Sequence, residues 1–167
     1  MSQKESRELF TQFVLEHKES VYRLAYSYVK NEQDALDIVQ DSIYKGLKSL
    51  KSIQKQPSMK SWFYRIVVNT SLDFLRKNKR IQLVGDEWLE IHASVVDMDI
   101  HNLDLEQAYE HLPIKYREVV GFRFFDDLKL EEIAAVLDLS VNTIKTRLYR
   151  ALEMLRINLE EGEIEHE

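Results

Sequence analysis

The side chains best suited to bind another molecule lie in one short stretch near the carboxyl end of the chain. From position 141 to position 156, apolar residues recur at helical spacing, and the side of the helix next to them is polar and basic. The polar and basic residues are Asn142, Lys145, Thr146, Arg147, Tyr149 and Arg150. Amides, hydroxyls and guanidinium groups can bind base edges and phosphates, so this pattern indicates contact with duplex DNA.

The residues before this stretch predict a second helix and a tight turn that would hold the polar face in place. Leu130, Ile133 and Leu137 share helical spacing. Asp138 interrupts the pattern, and Ser140 is a suitable N-cap for the next helix. Asp tolerates left-handed backbone angles better than most residues, so it can stand where such turns often carry Gly. The arrangement predicts a helix-turn-helix, whose second helix enters the major groove. A helical hairpin with one solvated basic face is the alternative.

A second group of candidate binding residues lies in the helix predicted from Trp62 to Lys79. Aromatic, amide and basic side chains occur together there, namely Trp62, Tyr64, Arg65, Asn69, Arg76 and Lys77. Aromatic faces stack on unpaired bases, amides bind base edges, and basic groups bind phosphates. The group therefore indicates contact with single-stranded nucleic acid. The alternative is that the aromatic residues are ordinary core.

A third candidate surface lies on the helix predicted from Asp34 to Leu50. Its apolar residues Leu36, Val39, Ile43 and Leu47 are spaced to pack inward. Asp37, Gln40 and Asp41 fall elsewhere on the helix and are expected at the surface. These three residues form either a solvated acidic face or a docking face for a polar or basic partner.

Composition narrows the class of protein. The chain has 167 residues, of which 44% are hydrophobic and 31% charged, and its four Gly and two Pro favour mostly helical structure. Without Cys, it can form neither disulfides nor thiolate metal sites. No apolar run reaches membrane-spanning length, and the amino-terminal residues lack the apolar core of a signal peptide. We therefore expect a cytoplasmic protein.

Charge is distributed unevenly along the chain, whose net charge is −6. From position 55 to position 80, seven basic residues stand against one acid, whereas positions 81 to 111 hold eight acids and neither Lys nor Arg. An acidic protein with local basic segments should bind naked DNA weakly, because phosphate neutralisation supplies much of the affinity. The segment from Ile81 to Leu103 is predicted to be an acidic linker. Within it, Asp97, Asp99 and His101 could hold the metal of a small hydrolase, although a flexible acidic segment is the favoured interpretation.

Three blocks of this sequence together resemble one known family. They read DALDIVQDS, then SWFYRIVVNTSLDFLRK, then LPIKYREVVGFRFFDDLKLEEIAAVLDLSVNTIKTRLYRAL. In this order and spacing they are similar to the extracytoplasmic-function class (ECF, group 4) of bacterial RNA polymerase sigma factors, of the sigma-70 family. The resemblance implies an all-α fold with two small helical domains joined by a flexible linker. Region 2 would span residues 1–80, the linker 81–103, and region 4, with the helix-turn-helix, 104–167.

The resemblance also implies roles for the candidate residues. Asp37, Gln40 and Asp41 match positions that dock on core RNA polymerase. The single-strand group of the predicted Trp62–Lys79 helix matches the part of the family that melts the −10 element. The group from Asn142 to Arg150 matches the part that reads the −35 element as duplex.

The partners implied are core RNA polymerase, promoter DNA and an anti-sigma protein, which in this class is commonly tethered to the membrane. No enzymatic activity, cofactor, metal or small-molecule substrate is implied. A stand-alone helix-turn-helix regulator is the alternative function, and the metal-dependent hydrolase is a third.

The aromatic residues Phe122, Phe124 and Phe125 are more than a domain of about sixty residues can easily bury. Because sigma factors of the resembled class are commonly held inactive by an anti-sigma protein that occupies their core-binding surfaces, the resemblance implies that a helical partner inserts between the two domains. It would compete with polymerase for the helix from Asp34 to Leu50 and for the apolar surface near Phe122 to Phe125.

Overall fold

The regular structure of the described residues is entirely helical. The computed structural model describes residues 2–55, 57–78 and 105–166. In chain order the elements are α1 (Gln3–Val29), α2 (Glu32–Lys48), a 3-10 helix (Leu50–Lys55), α3 (Met59–Asn78), α4 (Leu105–Glu110), α5 (Ile114–Val120), a π-helical turn (Gly121–Phe125), α6 (Leu130–Leu137) and α7 (Val141–His166). The all-α prediction is confirmed. The linker predicted at 81–103 lies outside the described residues.

The chain divides into two compact units. The first unit comprises residues 1–78 together with 131–139, and the second comprises the described residues of 79–130 and 140–167. In the first unit, α1 packs against α2 and α3, and α2 packs against α3. In the second, α4 and α5 both pack against α7. Within the described ranges, no helix combines the length and the hydropathy needed to cross a bilayer.

Local sequence signals explain how α1 and α2 begin and how α1 ends. The Ser2 hydroxyl accepts from the Glu5 amide at 3.2 Å, and the Glu5 carboxylate accepts from the Ser2 amide at 3.4 Å, which together form a capping box. Lys30 adopts a left-handed backbone (φ 54°) and ends α1, and its amide donates to the Tyr26 carbonyl at 2.8 Å. Asn31 then caps α2 by accepting from the Asp34 amide at 2.9 Å. A sharp reversal between the two helices follows from these caps.

The inward face of α2 differs from the one its apolar spacing predicts. Small residues dominate the buried positions of this helix, which are Ala35, Ile38, Ser42 and Gly46. Leu36 is 43% exposed, and Val39, Ile43 and Leu47 are only partly buried. The prediction that these four residues pack inward is therefore wrong for Leu36 and holds only in part for Val39, Ile43 and Leu47. One position along a helix corresponds to a rotation of about 100°, so the true face is offset from the apolar stripe by roughly one residue.

Close helix packing supplies the reason for that rotation. A Cβ added at Gly46 would lie 2.7 Å from Cζ of Phe10. The Phe10 ring is 1% exposed and meets the rings of Trp62 and Phe63 edge-on, at centroid distances of 5.5 Å and 5.2 Å. A side chain at position 46 would collide with this aromatic cluster, whereas the larger Ile38 is accommodated at 2% exposure two turns earlier. The contact with Phe10 therefore selects glycine at position 46, and Leu36 lies at the surface.

Gly46 and Ser42 provide a matched test of this packing. Gly46→Ala should lower the free energy of unfolding by about 1–3 kcal/mol through overpacking against Phe10, despite the better helix propensity of Ala. Ser42→Ala, one turn earlier on the same face, should be neutral or stabilising, because the buried Ser42 hydroxyl has no hydrogen-bond partner among the described residues. Urea unfolding followed by circular dichroism measures both. A stabilised Gly46→Ala variant would contradict the close approach of Phe10.

The second unit is built on one face of α7. Its buried cluster consists of Ala108, Leu112, Val120, Ala151 and Leu155. The helix predicted from Ile114 to Phe125 is α-helical only to Val120, and its last five residues form the π-helical turn, closed by a bond from the Asp126 amide to the Gly121 carbonyl at 3.1 Å. A Cβ at Gly121 would lie 2.6 Å from the Tyr109 hydroxyl oxygen, so any larger residue there would force the end of the Tyr109 side chain to move.

The turn between α6 and α7 agrees with its sequence signals. Asp138 adopts the left-handed conformation, with φ 55°. The Ser140 hydroxyl accepts from the Thr143 amide at 3.1 Å, as an N-cap does. The prediction of two helices joined by a tight Asp138 turn is confirmed.

Candidate nucleic-acid interface

The predicted duplex-binding face of α7 lies at the surface. Five of its six residues are exposed, namely Asn142, Lys145, Thr146, Tyr149 and Arg150. Tyr149 is 72% exposed, far more than a core aromatic would be. On the opposite side of the helix, Ile144 and Ala151 are fully buried. Helix α7 therefore presents a polar and basic strip whose side chains are not needed to build the core.

Arg147, the sixth residue of that group, lies at the border between the strip and the core. Its Nη1 is 3.8 Å from Oε1 of Glu118 on α5, and the two side chains are 27% and 10% exposed. Arg147 therefore links α7 to α5. The link also brings Lys115 and Tyr116 of α5 to the edge of the polar strip, where they line a groove shared with α7.

This contribution of α5 is not evident from the amino-acid sequence. Lys115 is one of two basic residues in its helix segment, together with Arg117, and nothing in the spacing relates it to residues about thirty positions later. The only local signal is a basic residue in the first turn of a helix, where the helix dipole disfavours positive charge. That signal is too weak to identify a site without the packing of α5 on α7.

The predicted single-strand group on α3 divides into a surface half and a buried half. Trp62 is 4% exposed and Tyr64 is 0% exposed, so the prediction that their faces are available for base stacking is wrong. Trp62 packs against Phe10, and its Nε1 donates to the Ser52 hydroxyl at 2.7 Å. The three-helix core needs large apolar side chains, and adjacent aromatic residues of α3 supply them.

The polar half of the group stays accessible. Asn69, Arg76 and Lys77 are exposed on α3, with Arg76 3.2 Å from the carboxylate of Asp73. Arg65 is partly buried, and within the first unit its Nη1 donates to the Ala135 carbonyl at 3.1 Å. Amide and guanidinium groups are thus present on α3, whereas the expected stacking platform is absent from the surface of this helix in the described structure.

The acidic face of α2 combines charge with exposed apolar area. Asp37, Gln40 and Asp41 are all exposed, and Asp41 pairs with Lys45 at 3.3 Å. Beside them, Leu36 is 43% and Tyr44 56% exposed, because the helix turns its small residues inward. Exposed apolar side chains next to charged ones are typical of protein-binding surfaces. The polar residues of this face are predicted from the sequence, whereas the exposure of Leu36 and Tyr44 beside them is seen only in the structure.

The aromatic group at the end of the π-helical turn is partly exposed. Phe122 is buried at 1%, whereas Phe124 and Phe125 are 58% and 54% exposed. Phe125 meets the Tyr109 ring edge-on at 5.2 Å. The expectation of unburied aromatic residues therefore holds for Phe124 and Phe125, and it is wrong for Phe122.

In the described part of the chain, no group of three or more His, Cys, Asp or Glu residues is arranged so that it could hold a metal ion. The residues of the hydrolase hypothesis, Asp97, Asp99 and His101, lie outside the described residues.

Comparisons with known proteins match both halves of the chain to one family. The Sigma-70 region 2 family model matches residues 13–81, and the Sigma-70, region 4 model matches residues 102–155. The chain is 47% identical over 154 residues to the RNA polymerase sigma factor SigV of Bacillus subtilis, covering 92% of this chain and 93% of that protein. It is 30% identical to the ECF RNA polymerase sigma factor SigW of the same organism, covering 93% of this chain and 91% of that protein.

A solved structure shares the fold. CnrH in complex with the cytosolic domain of CnrY is 25% identical, with a TM-score of 0.63 over 95% of this chain and 94% of that one. A stand-alone helix-turn-helix regulator would not account for the region 2 match at residues 13–81. Both regions occur in order along one chain, so it belongs to the ECF sigma factors of the sigma-70 family, non-enzymatic proteins that act with RNA polymerase in transcription initiation.

Proposed function

We propose that this sigma factor acts through three surfaces, one each on α2, α3 and α7. The observation that carries the proposal is that each helix presents a polar or charged group that contributes little to the core. Asp37, Asn69 and Arg150 illustrate the three groups, and all are exposed. Side chains that fold stability does not require are the natural candidates for binding.

The α2 surface is proposed to dock on core RNA polymerase. Asp37, Gln40 and Asp41 would supply charge and hydrogen bonds, and the exposed Leu36 and Tyr44 would supply apolar contact area. Charged residues at such interfaces set orientation and association rate, whereas buried aromatic and aliphatic contacts carry much of the affinity. This combination supports a protein partner over a nucleic-acid partner for α2.

The α3 surface is proposed to contact the opened −10 element. Asn69 would bind a base edge, and Arg76 and Lys77 would bind phosphates of the single strand. Arg65 would contribute through guanidinium donors other than those engaged by its bond to the Ala135 carbonyl and its ion pair with Asp138, in which Nη2 is 4.0 Å from Oδ2. Trp62 and Tyr64 would support this surface from within the core.

The α7 surface is proposed to read the −35 element as duplex DNA. A helix fits the major groove, where Asn and Arg side chains discriminate base pairs through paired hydrogen bonds. Asn142, Lys145, Thr146, Tyr149 and Arg150 lie along the exposed strip that would enter the groove. The Thr146 hydroxyl donates to the Asn142 carbonyl at 3.0 Å, and its methyl group would be available for apolar contact with a thymine methyl.

The domain boundaries implied by the family resemblance are retained as part of the proposal. Region 2 would span 1–80, the linker 81–103 and region 4 104–167, and the protein would act in the cytoplasm. An anti-sigma protein is proposed as a regulator that covers the α2 surface and the apolar area around Phe124 and Phe125. The exposure of these two rings, at 58% and 54%, supports a binding role for that area.

Run-off transcription tests the function. The full chain with core polymerase should yield specific transcripts from its promoters, which can be found by sequencing transcripts induced on overexpression. The chain alone should bind the same promoter duplex weakly, because its net charge of −6 opposes association with DNA. Tight binding by the chain alone, without transcription when core polymerase is added, would instead identify a stand-alone regulator.

A further inference from the structure

A groove beside the recognition helix has walls from two helices. It has a volume of about 280 Å³, with Lys115 and Tyr116 of α5 on one side. The α7 side is formed by Asn142, Thr143, Thr146, Arg147 and Arg150. Helices α5 and α7 pack directly on each other within the second unit, so the groove is part of one folded body.

The lining of this groove is suited to an anion. Lys115, Arg147 and Arg150 carry positive charge, the two threonines and the asparagine offer polar groups, and no carboxylate is among the residues that line it. The whole chain, by contrast, carries a net charge of −6. A concave surface with this local excess of cations concentrates phosphate groups.

Lys115 lines this groove, and its exposed side chain contributes little to the packing of the fold. Its side chain is exposed, and its Nζ lies 5.1 Å from the centroid of the adjacent Tyr116 ring. At an exposed site such a cation–π contact is worth only about 0.5–1 kcal/mol, so the ammonium group can leave it for a phosphate. Lysine binds phosphate as a mobile point charge, which suits a contact at the edge of a helix.

An ion pair between Arg147 of α7 and Glu118 of α5 lies close to Lys115 along α5. Glu118 follows Lys115 by three positions on α5, so the two residues share one side of the helix. The pair joins α5 to α7 at 3.8 Å, and the Glu118 side chain is only 10% exposed. A partly buried pair holds its geometry better than a surface pair, which water screens.

We propose that Lys115 is a DNA-backbone contact that binds a phosphate flanking the base edges read by α7, and that Arg147 positions it through Glu118. This inference rests on the proposed −35 role of α7. It adds α5 to the DNA-binding surface and gives Arg147 a function other than direct base reading. Phosphate contacts set the register of a protein on duplex DNA but carry no sequence information.

The test measures holoenzyme binding to duplex DNA as a function of salt. The probes are the upstream promoter fragment identified by transcription and a scrambled duplex of equal length. Lys115→Ala should weaken binding to both probes by a similar factor and reduce the slope of log K against log salt by about 0.9, the value for one phosphate. Arg150→Ala should weaken binding mainly to the promoter fragment. Lys115→Arg should retain the slope.

Lys18→Ala is the matched control, because it removes one exposed positive charge from α1. It should leave the slope unchanged. An unchanged slope in Lys115→Ala would overturn the proposal, as would a loss confined to the promoter fragment or a loss accompanied by a lower melting temperature. If the wild-type holoenzyme does not prefer the promoter fragment, the −35 assignment itself fails, whatever Lys115 does.

A double-mutant cycle tests the positioning role. Glu118→Gln removes the ion pair but keeps all three cations of the groove. In that background Lys115→Ala should reduce the salt slope by less than it does in the wild type, because the lysine is no longer held at the DNA edge. An equal reduction in both backgrounds would remove Arg147 and Glu118 from the proposal.

Discussion

Replacing Trp62 by Ala is expected to lower the free energy of unfolding of the first unit by about 3–5 kcal/mol. The indole is 4% exposed and packs edge-on against Phe10 with 5.5 Å between ring centroids. Its Nε1 donates to the Ser52 hydroxyl at 2.7 Å, and that bond is also lost. Urea unfolding of the full chain, followed by far-ultraviolet circular dichroism, measures the change. A loss of this size approaches the whole stability of many small domains.

Asn69→Ala is the informative comparison, because Asn69 is exposed on the same helix. Its stability should stay within about 0.5 kcal/mol of the wild type, as for most surface substitutions. Strand opening at the promoter, measured by permanganate reactivity, should nevertheless fall. A Trp62→Ala variant with unchanged stability but poor strand opening would contradict the burial of Trp62 and restore its role in base stacking.

The second large effect is expected from reversing charge on the docking surface of α2. Asp37→Lys with Asp41→Lys should weaken binding to core polymerase by at least about 30-fold, the equivalent of one interface hot spot of about 2 kcal/mol. Both carboxylates are exposed, so the fold should tolerate the change. Lys at position 41 would face Lys45 one turn later, which costs only about 0.2–0.5 kcal/mol in the helix. Titration of labelled full chain with core polymerase measures the affinity.

Reversal of Glu16 and Glu19 to Lys provides the control. These residues are exposed on α1, and the substitution changes the net charge of the chain by the same amount. Core affinity should be almost unchanged in this variant. Equal losses of core affinity in the two double variants would indicate that overall charge is the cause and would contradict the assignment of the α2 surface.

Local signals explain why the secondary structure could be predicted well. The Ser140 cap and the left-handed Asp138 turn each depend on residues only a few positions apart. The scarcity of Gly and Pro favours helix along the whole chain. Hydrogen bonding at helix ends and backbone sterics depend on such short-range relations. Family resemblance to sigma factors also follows from short blocks in a fixed order, and the region 2 and region 4 matches confirm it.

The orientation of the helices about their own axes could not be predicted in the same way. Apolar spacing identified α2 as a helix but placed its buried face about one residue off, because the Phe10 ring leaves no room for a Cβ at Gly46. For Trp62 and Tyr64, the chemistry of an aromatic ring fits a base stack and a protein core equally well. Only the packing of α3 against the other helices of the first unit decides that both rings are buried.

The amino-acid sequence by itself determined that this protein is helical, that it carries a helix-turn-helix, and which polar residues of α7 would be exposed. These properties depend on the order of residues within one or two helical turns. Tertiary structure alone decided which side of α2 remains open for a partner, which α3 residues reach the surface, and that Lys115 joins the groove of the recognition helix. Each of these depends on the distance between residues far apart in the chain, which arises only when the helices pack.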